Sequence, residues 1–512
     1  MKKVLAILLC CALLVGCAAV PAEPPATEPP QFQMPEGIVE ITLLGNDVSV
    51  KGDGVSFSRD IVYYEDKTEY ASGNPYDEGE DYERHSAAEA AEHLVVNITA
   101  PGTYRVSGKL EKGQIRIDLG ENAHSDPDAV VNLILDGAEI TCTVAPAIVF
   151  VNVYECDGNW SVENARPDVD TTAAGANLIL AEGSENIITG SHVAKIYKDT
   201  EGEKKLVKQD GAIYSYMSMN VYGPGALELH ADNEGLDTEL HLSIYSGDIA
   251  IQSGNDGINT NEDGVSVTAI HGGSVRISAG LREEGDGIDS NGYLVIYGGT
   301  VISAAHPAAD AGLDSDLGSY IHGGTVIALG SAMDWAESDS AQVTMNLQFA
   351  QMQTGDIRIT REDGSEVFAF DPAGDEVISL NTRSYQGAII SCPDFQVGDA
   401  YEVFADGVQM AYTGTDVMQH PGGMGGFGGG QGPVGGPGMP GGVTPPDEMP
   451  GPPEGYYATG EPAVPQGGQQ PPAGTPPQGG MPGGFGGPQG DKQTKFFMQD
   501  KVNFFTGLAE AE

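Results

Sequence analysis

Basic residues are scarce in this sequence. Its 512 residues carry 24 Lys and Arg against 74 Asp and Glu, a formal charge of -50. Nucleic acid and anionic lipid are bound by clusters of Lys and Arg, so general affinity for either is excluded, while divalent cations are favoured. Cysteine is nearly as rare. Of six, Cys10, Cys11 and Cys17 lie at the start, which leaves Cys142, Cys156 and Cys392. An odd remainder without a CxxC pair argues against a disulfide framework and against a cysteine zinc site. Cys142, at an alternating apolar position in "EITCTVAPAIV", reads as a small core residue. Apolar stripes of helical period are also missing over any useful length, which makes the chain all-β.

Long apolar runs are confined to "MKKVLAILLCCALLVGCAAV" at residues 1–20. The run is too short to span a bilayer and follows a Lys pair, as in a secretory signal. "LVGC" resembles a bacterial lipobox. Residues 1–16 are then a signal peptide and Cys17 the lipidated N-terminus on the outer face of a bacterial cell membrane. Residues 17–35, rich in Pro, form a tether. Residues 419–490, crowded with Gly, Pro and Met, cannot build a packed core and are expected to be disordered. The aromatic stretch 491–512 follows, either a solvated tail or a segment that docks on a cell-wall or protein partner.

Between these ends lies a repeat. Tyr222, Tyr245, His271, Tyr297 and His322 each precede a glycine-containing corner, at separations of 23, 26, 26 and 25 residues. A unit of about 25 residues with short strands and no helix fits one coil of a parallel β-helix, whose strands pair with equivalents about 4.8 Å away. Leu242, Ile244, Leu294, Ile296 and Ile321 before the corner, and Ile249, Ile251, Val275, Ile277, Val301 and Val326 after it, should fill the coil. The coil domain is taken as 36–330, with an acidic, partly helical insertion at 64–92. Residues 331–418 lose the period and read as a β cap over an otherwise open edge.

The corners are acidic: "NEGLDT", "GNDGINT", "GDGIDSNG" and "DAGLDSD" recur at residues 233–238, 254–260, 285–292 and 310–316. Stacked coils would align Asp237, Asn259, Asp289 and Asp314 in one outward column, with Asp256, Asp286 and Asp310 near a second. Like charges about 5 Å apart repel by roughly 0.8 kcal/mol in water and about four times that at an effective dielectric of 20. Protonation, interspersed Asn or a bound cation must cancel this. Carboxylates and amide oxygens are hard ligands, which points to calcium at Asp256, Asn259, Asp286, Asp289, Asp310, Asp314 and Asp316. Asp and Asn also form turns by bonding backbone groups, and that reading stays open at each position.

In order, "VSGKLEKGQIRIDLG", "VVNLILDGAEIT", "NLILAEGSENIITG", "DGAIYS", the iterated Asp-Gly-Ile corners and "GAIISCPDFQVGDAYEVFADG" resemble the bacterial carbohydrate-binding domain-containing proteins over roughly 38–415. The resemblance implies a right-handed parallel β-helix of pectate-lyase-like shape, calcium at corner Asp residues, and binding of polysaccharide such as cellulose or polygalacturonate. Glu234 and Ala311 replace the first corner Asp in the outer repeats, which puts sites there in doubt. The corner rings depart from the family's polar residues. Tyr245, His271, Tyr297 and His322, with Tyr222, should point outward, either as a surface for sugar rings or as a self-stacking ladder.

The expected function is therefore polysaccharide binding at the cell surface by a lipid-anchored, extracytoplasmic protein. Two alternatives remain: a calcium-dependent polysaccharide lyase and a structural adhesin. A lyase needs a Lys or Arg base of lowered pKa. From 209 to 330 there is no Lys, and the Arg residues are Arg276 and Arg282. Arg282, the weak catalytic candidate, is followed by Glu283 and Glu284, so no catalytic residue is assigned.

Overall fold

The computed structural model describes residues 37–65, 81–197, 206–282, 284–308, 310–378, 384–415 and 491–511. Cys17, the signal, the tether and the Gly/Pro/Met-rich segment lie outside them. The described chain is almost entirely β, as expected, with one four-residue α-helix, Ala87–Ala90, capped by Ser86. Among the described residues no helix is long and apolar enough to cross a membrane.

From Gly211 the chain visits three faces in turn. Gly211–Ser215 lies on a first face, Met219–Tyr222 on a second and Ala226–Ala231 on a third. The next circuit follows with Glu234–Thr238, Leu242–Ile244 and Asp248–Ser253. Each strand pairs in parallel with its equivalent one circuit on: Leu236 beside Ile258 beside Ile288, Ile244 beside Ile270 beside Ile296, Ile251 beside Ile277. Three parallel ladders thus climb around one core, and strands from Leu94–Ile98 onward extend the first downward.

Alternation along each strand sends every second side chain inward. Ile213, Leu236, Ile258, Ile288 and Leu313 line the first face, all with no exposed surface. The inward residues read from the sequence on the other two faces are equally buried. Cys142 sits in this core, where burial pushes its thiol up to about 12. Cys142, Cys156 and Cys392 are all free thiols.

The corner between second and third faces explains its glycines. Gly299 has φ +86°, and a Cβ there would meet the Gly273 carbonyl oxygen at 2.6 Å. Gly324 meets Gly299 in the same way, so a side chain would collide with the backbone of the coil below.

The coil is closed at both ends. Val39–Gly45 pairs with Val48–Lys51 at the N-terminal edge, and Tyr385–Ser391 runs antiparallel to Thr325–Gly330 at the other. The C-terminal stretch does not stand apart from the cap. Val502–Glu510 pairs in parallel with Thr344–Gln353, and Phe496 and Phe505 are buried against Tyr412 in the cap's own core. Their apolar bulk is taken up within the chain itself.

Candidate functional site

The acidic corners lie on the first face, where outward positions of successive strands are neighbours. Asp237 pairs with Asn259, Asn259 with Asp289, and the Ile288–Leu313 bridge brings Asp314 next in line. The backbone ladder therefore imposes the column that the repeat suggests. Three residues earlier a second column forms: Gly235 N bonds Asp256 O and Gly257 N bonds Asp286 O, which stacks Glu234, Asp256 and Asp286.

Part of this acid serves the backbone. Asp256 Oδ1 accepts from Asp286 N at 2.7 Å, Asp286 Oδ1 from Ala311 N at 2.5 Å, and Asp310 Oδ2 from Gly285 N at 2.9 Å. These carboxylates tie one coil to the next. Asp316 is exposed.

The lower end of the columns differs. Asp210, Glu234 and Asp237 each offer an oxygen such that the three lie within 4.8 Å of one another. Asp237 is completely buried, and Glu234, Asp210 and Asn259 are 5%, 7% and 6% exposed. Asp237 Oδ1 accepts from Asn261 Nδ2 at 2.6 Å. Asp237 Oδ2, Glu234 Oε2 and Asn259 Oδ1 have no hydrogen-bond partner among the described residues. A buried acceptor without a donor costs about 1–3 kcal/mol, more when charged, so three together are an unbalanced load.

The electrostatics agree. Burial, then Asp210, pushes Glu234 up to about 7; burial, then Glu234, holds Asp237 well above the carboxylate range. Higher up, burial and Asp314 carry Asp286 to about 8, and burial and Asp314 carry Asp289 to about 7. Asp256, Asp310, Asp314 and Asp316 are also raised, each chiefly by burial. One cation answers: Lys208 forms an ion pair with Asp210, and that carboxylate holds the ammonium well above its ordinary range.

Asp210 and Glu234 escape a sequence reading centred on Asp-Gly-Ile corners. Their signal is the dipeptides Asp210-Gly211 and Glu234-Gly235, one coil apart. Glu234, the departure from Asp at this corner, still offers a carboxylate oxygen to the cluster. Ala311 supplies a backbone N–H to Asp286 instead of a carboxylate.

The corner rings do stack. Centroids are 4.8 Å apart for Tyr222–Tyr245, 4.5 Å for Tyr245–His271 and 4.8 Å for His271–Tyr297, with planes parallel to within 9°. Both broad faces of Tyr245 and His271 are therefore spent on neighbouring rings, whereas Tyr297 is stacked on one side only. Tyr222 and Tyr245 take outward positions but offer no surface, because the segment after Asn152 folds over them and places Thr171 Oγ1 3.3 Å from Tyr245 Oη. Tyr297 is exposed and His271 and His322 are half-buried.

Arg282 turns to Asp232, with Nη1 3.9 Å from Oδ2 and donating to the backbone oxygen at 3.3 Å. A cavity near Arg116, Gln209 and Tyr216 has about 30 Å³, room for one water rather than a sugar.

Comparison with known proteins gives three findings. A family model described as "Carbohydrate-binding domain-containing protein" matches residues 92–158 and 161–386, more than half of the chain. A protein of that description from Acetivibrio thermocellus is 31% identical over 159 residues, which is 31% of this chain and 45% of the relative. The chain thus matches less than half the length of that relative. A solved structure, described as a polysaccharide lyase-like protein from C. thermocellum in a gadolinium derivative, aligns with 56% of this chain and 93% of its own. Its identity is 23% and its TM-score 0.35.

Proposed function

We propose, from the premise that this chain belongs to the carbohydrate-binding domain-containing proteins, that it is a non-catalytic polysaccharide-binding protein of the bacterial cell surface. Its coil is read as a right-handed parallel β-helix, supported by the three parallel ladders. It is read as exported by residues 1–16 and held to the membrane through lipid on Cys17. The ligand class is a structural polysaccharide, cellulose-like or pectin-like.

Calcium is assigned to the lower acidic corner. The single observation that carries this is the trio of buried, partnerless oxygens on Glu234, Asp237 and Asn259, beside Asp210. These are hard oxygen donors from three different coils, a set that suits calcium and would be bound with carboxylates ionised. Asp210, Glu234, Asp237 and Asn259 would hold the ion, and its charge would remove the repulsion along the column. Because the donors are enclosed, the metal's work is read as fastening coils rather than bridging to sugar. Asp256, Asp286, Asp289, Asp310, Asp314 and Asp316 form the upper part of the same acidic corner.

Binding is preferred to elimination chemistry because neither nearby cation resembles a poised base. Lys208 is held protonated by Asp210, and Arg282 is engaged by Asp232.

Pull-down on insoluble polysaccharides, with calcium and with EDTA, tests the reading. Retention on at least one polysaccharide, without release of unsaturated products absorbing near 235 nm, is expected. Failure to be retained on any of them sinks the binding assignment, and product release sinks its non-catalytic part.

A further inference from the structure

The second face carries a ring cluster that the acidic corner does not use. Outward positions on this face come in pairs two residues apart: Asn220 and Tyr222, Ser243 and Tyr245, Ala269 and His271, Val295 and Tyr297, Tyr320 and His322. The lower pairs are roofed. Thr171 Oγ1 lies 2.7 Å from both Asn220 Oδ1 and Ser243 Oγ. Further along, Val169 packs on Val267, Ala269 and Val295, beside Tyr293 and Tyr320.

Past Val169 the rings come to the surface. Tyr297 is 38% exposed, and Tyr293, Tyr320 and His322 are half-buried. Tyr297 is covered by His271 on one side only, and beyond it the stacking breaks: Tyr293–Tyr320, Tyr297–His322 and Tyr320–His322 are tilted by 49°, 43° and 32° at 6.2, 5.5 and 6.1 Å. His322 is fixed by the N–H of Ala341, which donates to its Nδ1 at 3.2 Å. Tyr293 and Tyr320 stand on ladder strands, and Tyr297 and His322 directly follow the ends of the same strands, so the backbone sets their spacing.

Charge decides what such a platform accepts. Burial, then Asp168, raises Tyr297; burial, then Glu337, Tyr293 and Asp339, raises Tyr320. The geometry agrees: Glu337 N donates to the Ser319 carbonyl oxygen at 2.8 Å, next to Tyr320, and Asp168 adjoins Val169, which packs on Val295. The repeats supply no Lys, and Arg276 and Arg282 pair with Asp248 and Asp232. Arg166 Nε stands 3.9 Å from Asp168 Oδ1, but a polyuronate would still bring its carboxylates against Glu337 and Asp339, whereas a neutral chain loses nothing by that neighbourhood.

We propose that Tyr293, Tyr297, Tyr320 and His322 form a sugar-stacking platform selective for neutral polysaccharide over polyuronate. A pyranose turns a face of C–H groups to the rings and removes apolar surface from water, while its hydroxyls stay hydrated. This rests on the carbohydrate-binding reading and assigns the ligand class that it leaves open.

Affinity electrophoresis of the full chain, in calcium, through gels containing hydroxyethyl cellulose or polygalacturonate tests it. The neutral glucan should retard the protein about tenfold more strongly than polygalacturonate. Tyr297→Ala and Tyr320→Ala should each lose about tenfold in affinity for the glucan, with Tyr297→Phe and Tyr320→Phe close to wild type. The double charge reversal Asp168→Lys with Glu337→Lys, on the surface and so safe for folding, should raise polygalacturonate binding several-fold. Glucan binding unchanged in both alanine variants overturns the platform alone, leaving carbohydrate binding intact. Equal or tighter polygalacturonate binding by the wild type overturns the selectivity. If neither polymer retards the wild type, the broader reading falls and takes the platform with it.

Discussion

Asp237 shows how one residue loads the molecule. Its carboxylate is wholly buried, one oxygen bonded to Asn261 and the other to nothing described. Charges one ladder step apart, about 4.8 Å, repel by roughly 3–4 kcal/mol at an effective dielectric of 20. Without metal, the relief is protonation. Glu234 near 7 and Asp286 near 8 sit above their ordinary 4.5 and 3.8, so the native state holds more protons than the unfolded chain between those limits. Stability from these groups is therefore present at low pH and lost as pH rises through about 7 to 8. Glu234→Gln should then stabilise the metal-free protein at pH 8 by about 1–3 kcal/mol, since above about 7 it removes a buried charge. In calcium the sign should reverse, because a ligand is lost. Thermal melts of the variant in EDTA and in calcium check both halves; a variant less stable than wild type in EDTA would contradict the repulsion argument.

At the scale of elements, the strands Phe496–Phe497 and Val502–Glu510 close the cap although dozens of residues separate them from the cap strand Val408–Ala411. Phe505 packs on Tyr412 and Phe496 with centroids 4.9 Å apart. Phe505→Ala should cost about 3–5 kcal/mol of cap stability, read by urea denaturation, and a loss below about 1 kcal/mol would mean the strand only lies on the surface. The sequence announces the aromatic content of this segment but not its destination, because pairing across such a separation leaves no periodic trace. The coil strands are the opposite case. Their inward residues, from Leu242 to Val326, were readable because a 25-residue period stacks like on like. The roof after Asn152 was not readable, since it has no repeat, and it buries Tyr245, whose place in the column suggested exposure. Asp210 and Glu234 were missed for a related reason: they stand where the repeat begins, and the first coil deviates from the motif.

Taken whole, the molecule is a stack whose coils are fastened on one face by acid and glycine corners and present tilted rings on another. A charge of -50 works against a compact state by self-repulsion, most strongly where carboxylates are buried together. Ligand binding to the native state alone raises stability by mass action, so calcium should act on the entire coil and not on one loop. The melting temperature of the full chain at pH 8 and at pH 5, each in calcium and in EDTA, tests whether a metal fastens the coils. The gap between calcium and EDTA should be large at pH 8 and narrow at pH 5, where protonation of Glu234 both relieves the repulsion and competes with the ion. Equal melting temperatures with and without calcium at pH 8 would contradict the metal's fastening role.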